Sequence, residues 1–231
     1  STLTTQGDVV YRDGSGLARL AKGSAADVLT MNAGATAPEW AASAGGGGAW
    51  EYICRQTLAS DASDIQFIDG TAATDGTPDF GSDYAAVQFL MEHFTPATDA
   101  AQARLWISTD TGSSYLTADY WAASQWIKNQ ADGTATTVLG ATDNFRLSTT
   151  TEGDAAQGLN GYVNLFNTSD TAHNPFATWD FATSESGINI YRYSGGAFHT
   201  TNQNVDALKF GFNTGDVLAA STIRMYGLKA S

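Results

Sequence analysis

The sequence predicts an all-β protein: a short N-terminal stalk of small strands, then an antiparallel β-sandwich of jelly-roll-like topology. Three observations predict it. Asp outnumbers Glu by 19 to 5, and Asp closes turns where Glu favours helices. Short apolar runs, many of them alternating, recur along the chain between clusters of Gly, Asp, Ser and Thr. Charged residues make up only 15% of 231 residues, so Thr, Ser, Asn and Ala must cover much of the surface.

Residues 1–44 come first. The apolar positions Val9-Val10, Leu17, Leu20 and Val28-Leu29 recur between glycines 7, 14, 16, 23 and 34. Strands this short bury too little apolar surface for a self-sufficient domain. Two readings stay open: a strap laid over the larger domain, or a segment that completes its core with copies of itself. Residues 45–49, which hold Gly45 to Gly48, read as a hinge, because glycine loses the most backbone entropy on ordering.

Residues 50–231 form the sandwich head. Its expected strands begin with 50–57 and 64–69. The stretch 84–94 alternates, with Val87, Phe89 and Met91 on one face and Gln88 and Glu92 on the other. Segments 103–108, 119–128, 143–150, 162–166, 176–182, 188–193, 207–212 and 222–228 complete the set. Trp121 and Trp126 are five residues apart, which places them on opposite faces of one strand. Trp106 and Ile107 are neighbours, so one of them must leave the core. Residues 25–29 and 84–94 also fit helical turns.

The hydrophobic fraction of 42%, with 11% aromatic, suffices for a real core and excludes a disordered chain. Twenty-four acidic and 11 basic side chains give a net charge of −13. Non-specific nucleic-acid binding and adhesion to anionic membranes need the opposite sign. No apolar run approaches the ~20 residues of a membrane-spanning helix, and the N-terminal residues show no signal-peptide pattern. The single cysteine, Cys54, excludes an intrachain disulfide and a Cys-rich zinc site. It lies in the apolar run YIC, where a thiol acts as a small buried hydrophobe.

Catalytic patterns are sparse. The chain has no G-x-S-x-G elbow, no P-loop and no glycine fingerprint opening a helix. His93, His173 and His199 are far apart in sequence. Two Asp-rich loops, with Asp61, Asp64 and Asp69 and then Asp75, Asp79 and Asp83, could supply oxygens to calcium. They could equally supply the carboxylate pair of a glycosidase. Turn chemistry explains both loops without a ligand. No other cofactor is expected. Six tryptophans offer aromatic platforms of the kind that stack on sugars, and Tyr115, Trp121 and Trp179 are the candidates to face a ligand.

The first segment resembles a module of tailed-bacteriophage virion proteins, especially tail fibres. The residues that carry the likeness are Gly7-Asp8, Arg12-Asp13, Gly16-Leu17, Arg19-Leu20, Gly23, Val28-Leu29 and Pro38-Glu39-Trp40. The second segment is similar to a phage tail β-sandwich over residues 94–115 and 205–229. Ser113 departs from that pattern, where the family has a second turn glycine. The two likenesses cover about two thirds of the chain.

The resemblance implies a homotrimer whose stalk contacts are Val9, Val10, Leu17, Leu20, Val28, Leu29 and Trp40. It further implies a non-enzymatic virion protein, assembled in the bacterial host cytoplasm, with other tail or capsid proteins as partners. A host surface glycan or protein is the expected target, without nucleic acid or membrane insertion. Fibres of this kind usually carry a separate anchoring domain before the module, and here the module begins near residue 3. The resemblance gives a short tail fibre as the expectation, and the missing separate anchor favours the alternative, a capsid decoration protein or head fibre. A glycan-degrading tail enzyme is the third reading and finds no paired catalytic pattern. A lectin unrelated to viruses would leave the stalk module unexplained.

Overall fold

The structure is a computed structural model that describes residues 3–42, 50–129, 136–139, 143–149, 151, 157–184 and 190–230. The expected glycine hinge at 45–49, and the ends of the expected strands at 150 and 188–189, lie outside the described residues. The chain divides into two compact units, Ser1–Gly48 and Ala49–Ser231.

The first unit is two antiparallel hairpins. Strands β1 (Val9–Arg12) and β2 (Leu17–Leu20) form one, and β3 (Asp27–Met31) and β4 (Pro38–Ala42) form the other. The segment 25–29 expected as a strand or a helical turn is thus the start of a strand. Each hairpin is closed by a side chain acting on the backbone. Asp13 Oδ1 accepts from the Ser15 and Gly16 amides at 2.7 and 2.9 Å, and Gly16 takes φ +147°. Asn32 Oδ1 accepts from the Thr36 amide at 2.9 Å. These short Asx turns replace the missing core as the local organisers.

The second unit is a two-layer antiparallel sandwich. Its strands are β5 (Trp50–Thr57), β6 (Asp64–Ile68), β7 (Asp75–Gly76), β8 (Tyr84–Phe94), β9 (Ala103–Ser108), β10 (Tyr120–Lys128), β11 (Thr136–Leu139), β12 (Phe145–Arg146), β13 (Leu159–Phe166), β14 (Phe176–Ser184), β15 (Ile190–His199), β16 (Ala207–Phe212) and β17 (Thr222–Lys229). The large sheet runs β11-β10-β15-β14-β13-β8-β17-β5-β7, and the small one β12-β9-β16-β6.

The pairing is nested. β5 pairs with β17, β6 with β16, β8 with β17 and β13, and β9 with β16 and β12. Successive members of this set alternate between the sheets except β9 and β12, which pair with each other in the small sheet, and this is jelly-roll order. Two insertions widen it: β10–β11 between β9 and β12, and β14–β15 between β13 and β16. Both join the large sheet beyond β13.

Alternation produces the core. Val87, Phe89 and Met91 point inward and are at most 1% exposed, while Gln88, Leu90 and Glu92 face out. Phe89 meets Phe67 and Phe210 with ring centroids 5.1 and 5.2 Å apart. Ile107 is buried and Trp106 lies outside, where Lys209 Nζ sits 5.0 Å from its ring. Cys54 is fully buried beside Met225, and burial pushes its thiol up to about 12, so it is no nucleophile. Strand β15 continues through Ser194-Gly195-Gly196, past the expected end at 193, and glycine is required at position 195. A Cβ on Gly195 would stand 2.4 Å from Trp179 Cζ2.

Candidate functional site: the outer face of the large sheet

Direct cross-strand partners share a face. Following the register from β10 gives one row: Trp121, Phe198, Phe176, Phe166, Ala86, Leu228 and Trp50. Seven strands thus contribute one apolar band that crosses the outer face of the large sheet. The end at β10, β15 and β14 is the most open. Trp121 is 61% exposed and Phe176 41%. The rings of Phe176 and Phe198 lie nearly parallel, 5° apart, with centroids separated by 6.4 Å.

The next row on the same face is small where the first is large. Ala123, Gly196 and Thr178 follow one another across β10, β15 and β14. A cavity of 340 Å³ opens over this floor, walled by Trp121, Phe176 and Phe198. A Cβ on Gly196 would meet nothing closer than 3.7 Å, so the space above it is free.

The third row is polar. Gln125 Nε2 donates to Ser194 Oγ at 3.3 Å, and Arg192 Nε to Asp180 Oδ1 at 2.9 Å. The second row itself becomes polar toward the sheet centre, beyond Thr178: Gln88 Nε2 donates to Asn164 Oδ1 at 2.8 Å, and Asn164 Nδ2 to Thr178 Oγ1 at 3.4 Å. Among the described residues, Arg192 and Asp180 carry the charges on the polar wall at this end, and as a pair they cancel. The site is therefore a trough: an aromatic wall, a bare floor and a hydrogen-bonding wall without net charge among the described residues.

The three aromatics expected to face a ligand are in three different places. Trp121 belongs to the trough. Trp179 does not: it is 3% exposed and points into the core in register with Val163 and Gly195. The reason is strand parity. Thr178 and Asp180 occupy the outer face of β14, so Trp179 between them must turn inward with Ala177 and Phe181. Tyr115 lies on the opposite side of the sandwich, where its ring holds Lys209 Nζ at 4.6 Å from its centroid. Burial, then Asp64, Asp110 and Asp206, push its hydroxyl up to about 12. Phe176 and Phe198 were not among the candidates. The signal for Phe176 was present in the same parity, three residues from Trp179 and hence on the other face.

The Asp-rich loops are occupied by turn contacts. Asp61 accepts from the Ala219 amide at 2.8 Å, Asp69 from the Phe80 amide at 3.1 Å and Asp79 from the Gly81 amide at 2.7 Å. Asp75 accepts from the Tyr52 hydroxyl at 2.8 Å. Among the described residues no three His, Cys, Asp or Glu side chains gather in metal-binding geometry. His173 pairs with Asp170 at 2.5 Å, while His199 is buried under the sheet, so the histidines do not converge.

The residues expected as stalk contacts all lie in the first unit. Val10, Leu17, Val28 and Leu29 are exposed, Leu17 at 71%, while Val9, Leu20 and Trp40 are half-buried. Trp40 also holds the unit together. Its Nε1 donates to the Ala21 carbonyl at 2.7 Å, and its ring covers Gly23 so closely that a Cβ there would come within 2.7 Å. Asp8 went unnoticed as an organiser. It accepts from the Thr4, Thr5 and Lys22 amides and from Arg19 Nε, the last at 2.7 Å. Arg19 and the three amides hold its carboxyl far below the ordinary carboxylate range.

No protein-family model matches the chain, and comparison with curated proteins and with solved structures finds no significant match.

Proposed function

We propose that the chain is a non-enzymatic structural protein of a bacteriophage virion: a homotrimeric short fibre that displays jelly-roll heads for attachment to the host surface. One observation carries the reading. The first unit buries no apolar side chain among its described residues, yet it exposes Leu3, Val10, Leu17, Val28, Leu29 and Met31. Both faces of β3 are apolar, with Val28 on one and Leu29 on the other. Such hairpins need cover on more than one side, and three copies of the same segment supply it symmetrically. The likeness to the tail-fibre module supports this reading, because the residues that carry it hold or face these hairpins.

Attachment here is binding without turnover. Three heads on one stalk raise a weak single contact by avidity. Light scattering across a wide concentration range tests the proposal: a trimer is expected, and a monomer at every concentration overturns it. Gold-labelled antibody against residues 50–231 then locates the protein on the particle. Label at the tail tip supports attachment, and label over the capsid replaces it with a decoration role.

A further inference from the structure

We propose that the trough formed by Trp121, Phe198 and Phe176, floored by Ala123 and Gly196, is a binding site for a neutral polysaccharide. The inference rests on the attachment reading only in assuming that the head is displayed. The site itself is argued from geometry.

A pyranose ring has one face of C–H groups and a rim of hydroxyls. The C–H face packs on the π face of an aromatic ring, and the rim needs donors and acceptors beside it. The trough offers both within one strand-pair width. Trp121 and Phe176 present exposed ring surface on the wall, and Gln125 and Ser194 stand across the floor with uncharged hydrogen-bonding groups. The floor is open because Gly196 has no side chain and Ala123 has one carbon.

The apolar row does not stop at Phe176. It continues through Phe166 to Leu228 and Trp50 on the far side of the sheet. A row of this length suits a chain of repeating units better than a single small molecule. Charge chooses between classes of polymer. The protein carries −13, and the ion pair that the described residues place on the polar wall, Arg192–Asp180, is internally neutral. An acidic polysaccharide would be repelled and, among the described residues, would find no unpaired cation on that wall.

The test uses the full chain and a panel of α- and β-linked hexaoses of glucose, mannose and galactose, with an oligogalacturonate as the acidic probe. Binding is read by tryptophan fluorescence and by calorimetry. At least one neutral hexaose is expected to bind in the micromolar to millimolar range, and the oligogalacturonate at least about tenfold more weakly at low salt. Trp121→Ala should weaken binding at least about tenfold, with Trp121→Phe restoring part of it. Gly196→Val fills the floor and should abolish binding while leaving thermal stability intact, since a Cβ there meets only ordinary contacts. Failure of every neutral hexaose, or a Trp121→Ala protein that binds as well as the parent, overturns the proposal. So does a change of oligomeric state in Trp121→Ala, which would make this face a contact between copies. Trimer formation and virion location are measured separately, so the attachment reading can fail while the site stands, and the reverse.

Discussion

In the jelly roll, Phe67, Phe89 and Phe210 surround one another at 0% exposure, and the turns merely connect what the core has fixed. In the hairpins of residues 3–42 the order is reversed. The described turns are over-determined by Asp8, Asp13 and Asn32, and no apolar side chain is buried. The difference teaches where each unit keeps its stability. The sandwich is cohesive through area removed from water. The hairpins are shaped by local hydrogen bonds, each a modest net contribution, and on the trimer proposal they take their cohesion from other copies of the segment.

The largest effect should come from breaking that dependence. Leu17→Asp with Leu29→Asp changes two exposed side chains, which in a monomer shifts stability by only about 0.5 kcal/mol each. In a trimer that buries them, the charges meet one another and the assembly is lost. Light scattering should therefore show complete conversion to monomer while the head keeps its melting transition. Retention of the trimer would mean that these faces are not the contacts.

The sandwich should fail in the opposite way. Phe89→Ala removes the ring that touches Phe67, Phe80 and Phe210, at a cost of about 3–5 kcal/mol. Denaturant unfolding should show the head transition moved by that amount while the variant remains trimeric. A loss of trimer in this variant would show that the two units fold as one.

Much of this contrast is legible in the residues. The alternation over 84–94 places Val87, Phe89 and Met91 inside without further help, and the poverty of apolar surface in residues 1–44 is visible at once. The trough is legible only in part. Trp121 stands out as the odd-parity partner of Trp126, but its neighbours Phe198 and Phe176 arrive from strands more than fifty residues away, and a single sequence carries no register. Gly195 and Gly196 look like the end of a strand because glycine usually weakens one. Both are strand interior here: Trp179 occupies the space that a Cβ on Gly195 would need, while the face above Gly196 is open. Strands β7 and β11 were not expected: the two residues Asp75-Gly76 read as a turn, and Thr136–Leu139, two threonines followed by Val and Leu, does not alternate.

Acid should separate the units further. In the hairpins, Asp8 has a folded-state affinity for protons well below its value in the unfolded chain. Its contribution is present above the ordinary carboxylate value of 3.8 and is lost progressively as pH falls through and below it. Trimer dissociation followed by light scattering should therefore steepen below about pH 4. Asp8→Asn should weaken the trimer at neutral pH and flatten that acid limb. An unchanged limb would assign the dissociation to other carboxylates.

The smallest effect belongs to the sandwich and begins at milder acid. His199 pairs across the ladder with Tyr120, one position from Trp121 and Phe198 in the trough. It is 4% exposed. The Thr201 amide donates to its Nδ1 at 2.9 Å, so the proton must sit on Nε2, which donates to the Ala118 carbonyl at 2.7 Å. Protonating Nδ1 would set two donors against each other in a buried site. Burial lowers its pKa from 6.5; the Ala118 hydrogen bond and then Asp119 offset this in part. Because the folded state binds this proton less readily than the unfolded one, stability is full above pH 6.5 and falls as pH drops below it. The head's melting temperature should decline between about pH 7 and pH 5, a window in which Asp8 is silent. His199→Gln should lower stability at pH 7 and remove most of that slope. A parent slope that survives the substitution would move the titration away from His199, and with it the link between mild acid and the aromatic wall of the trough.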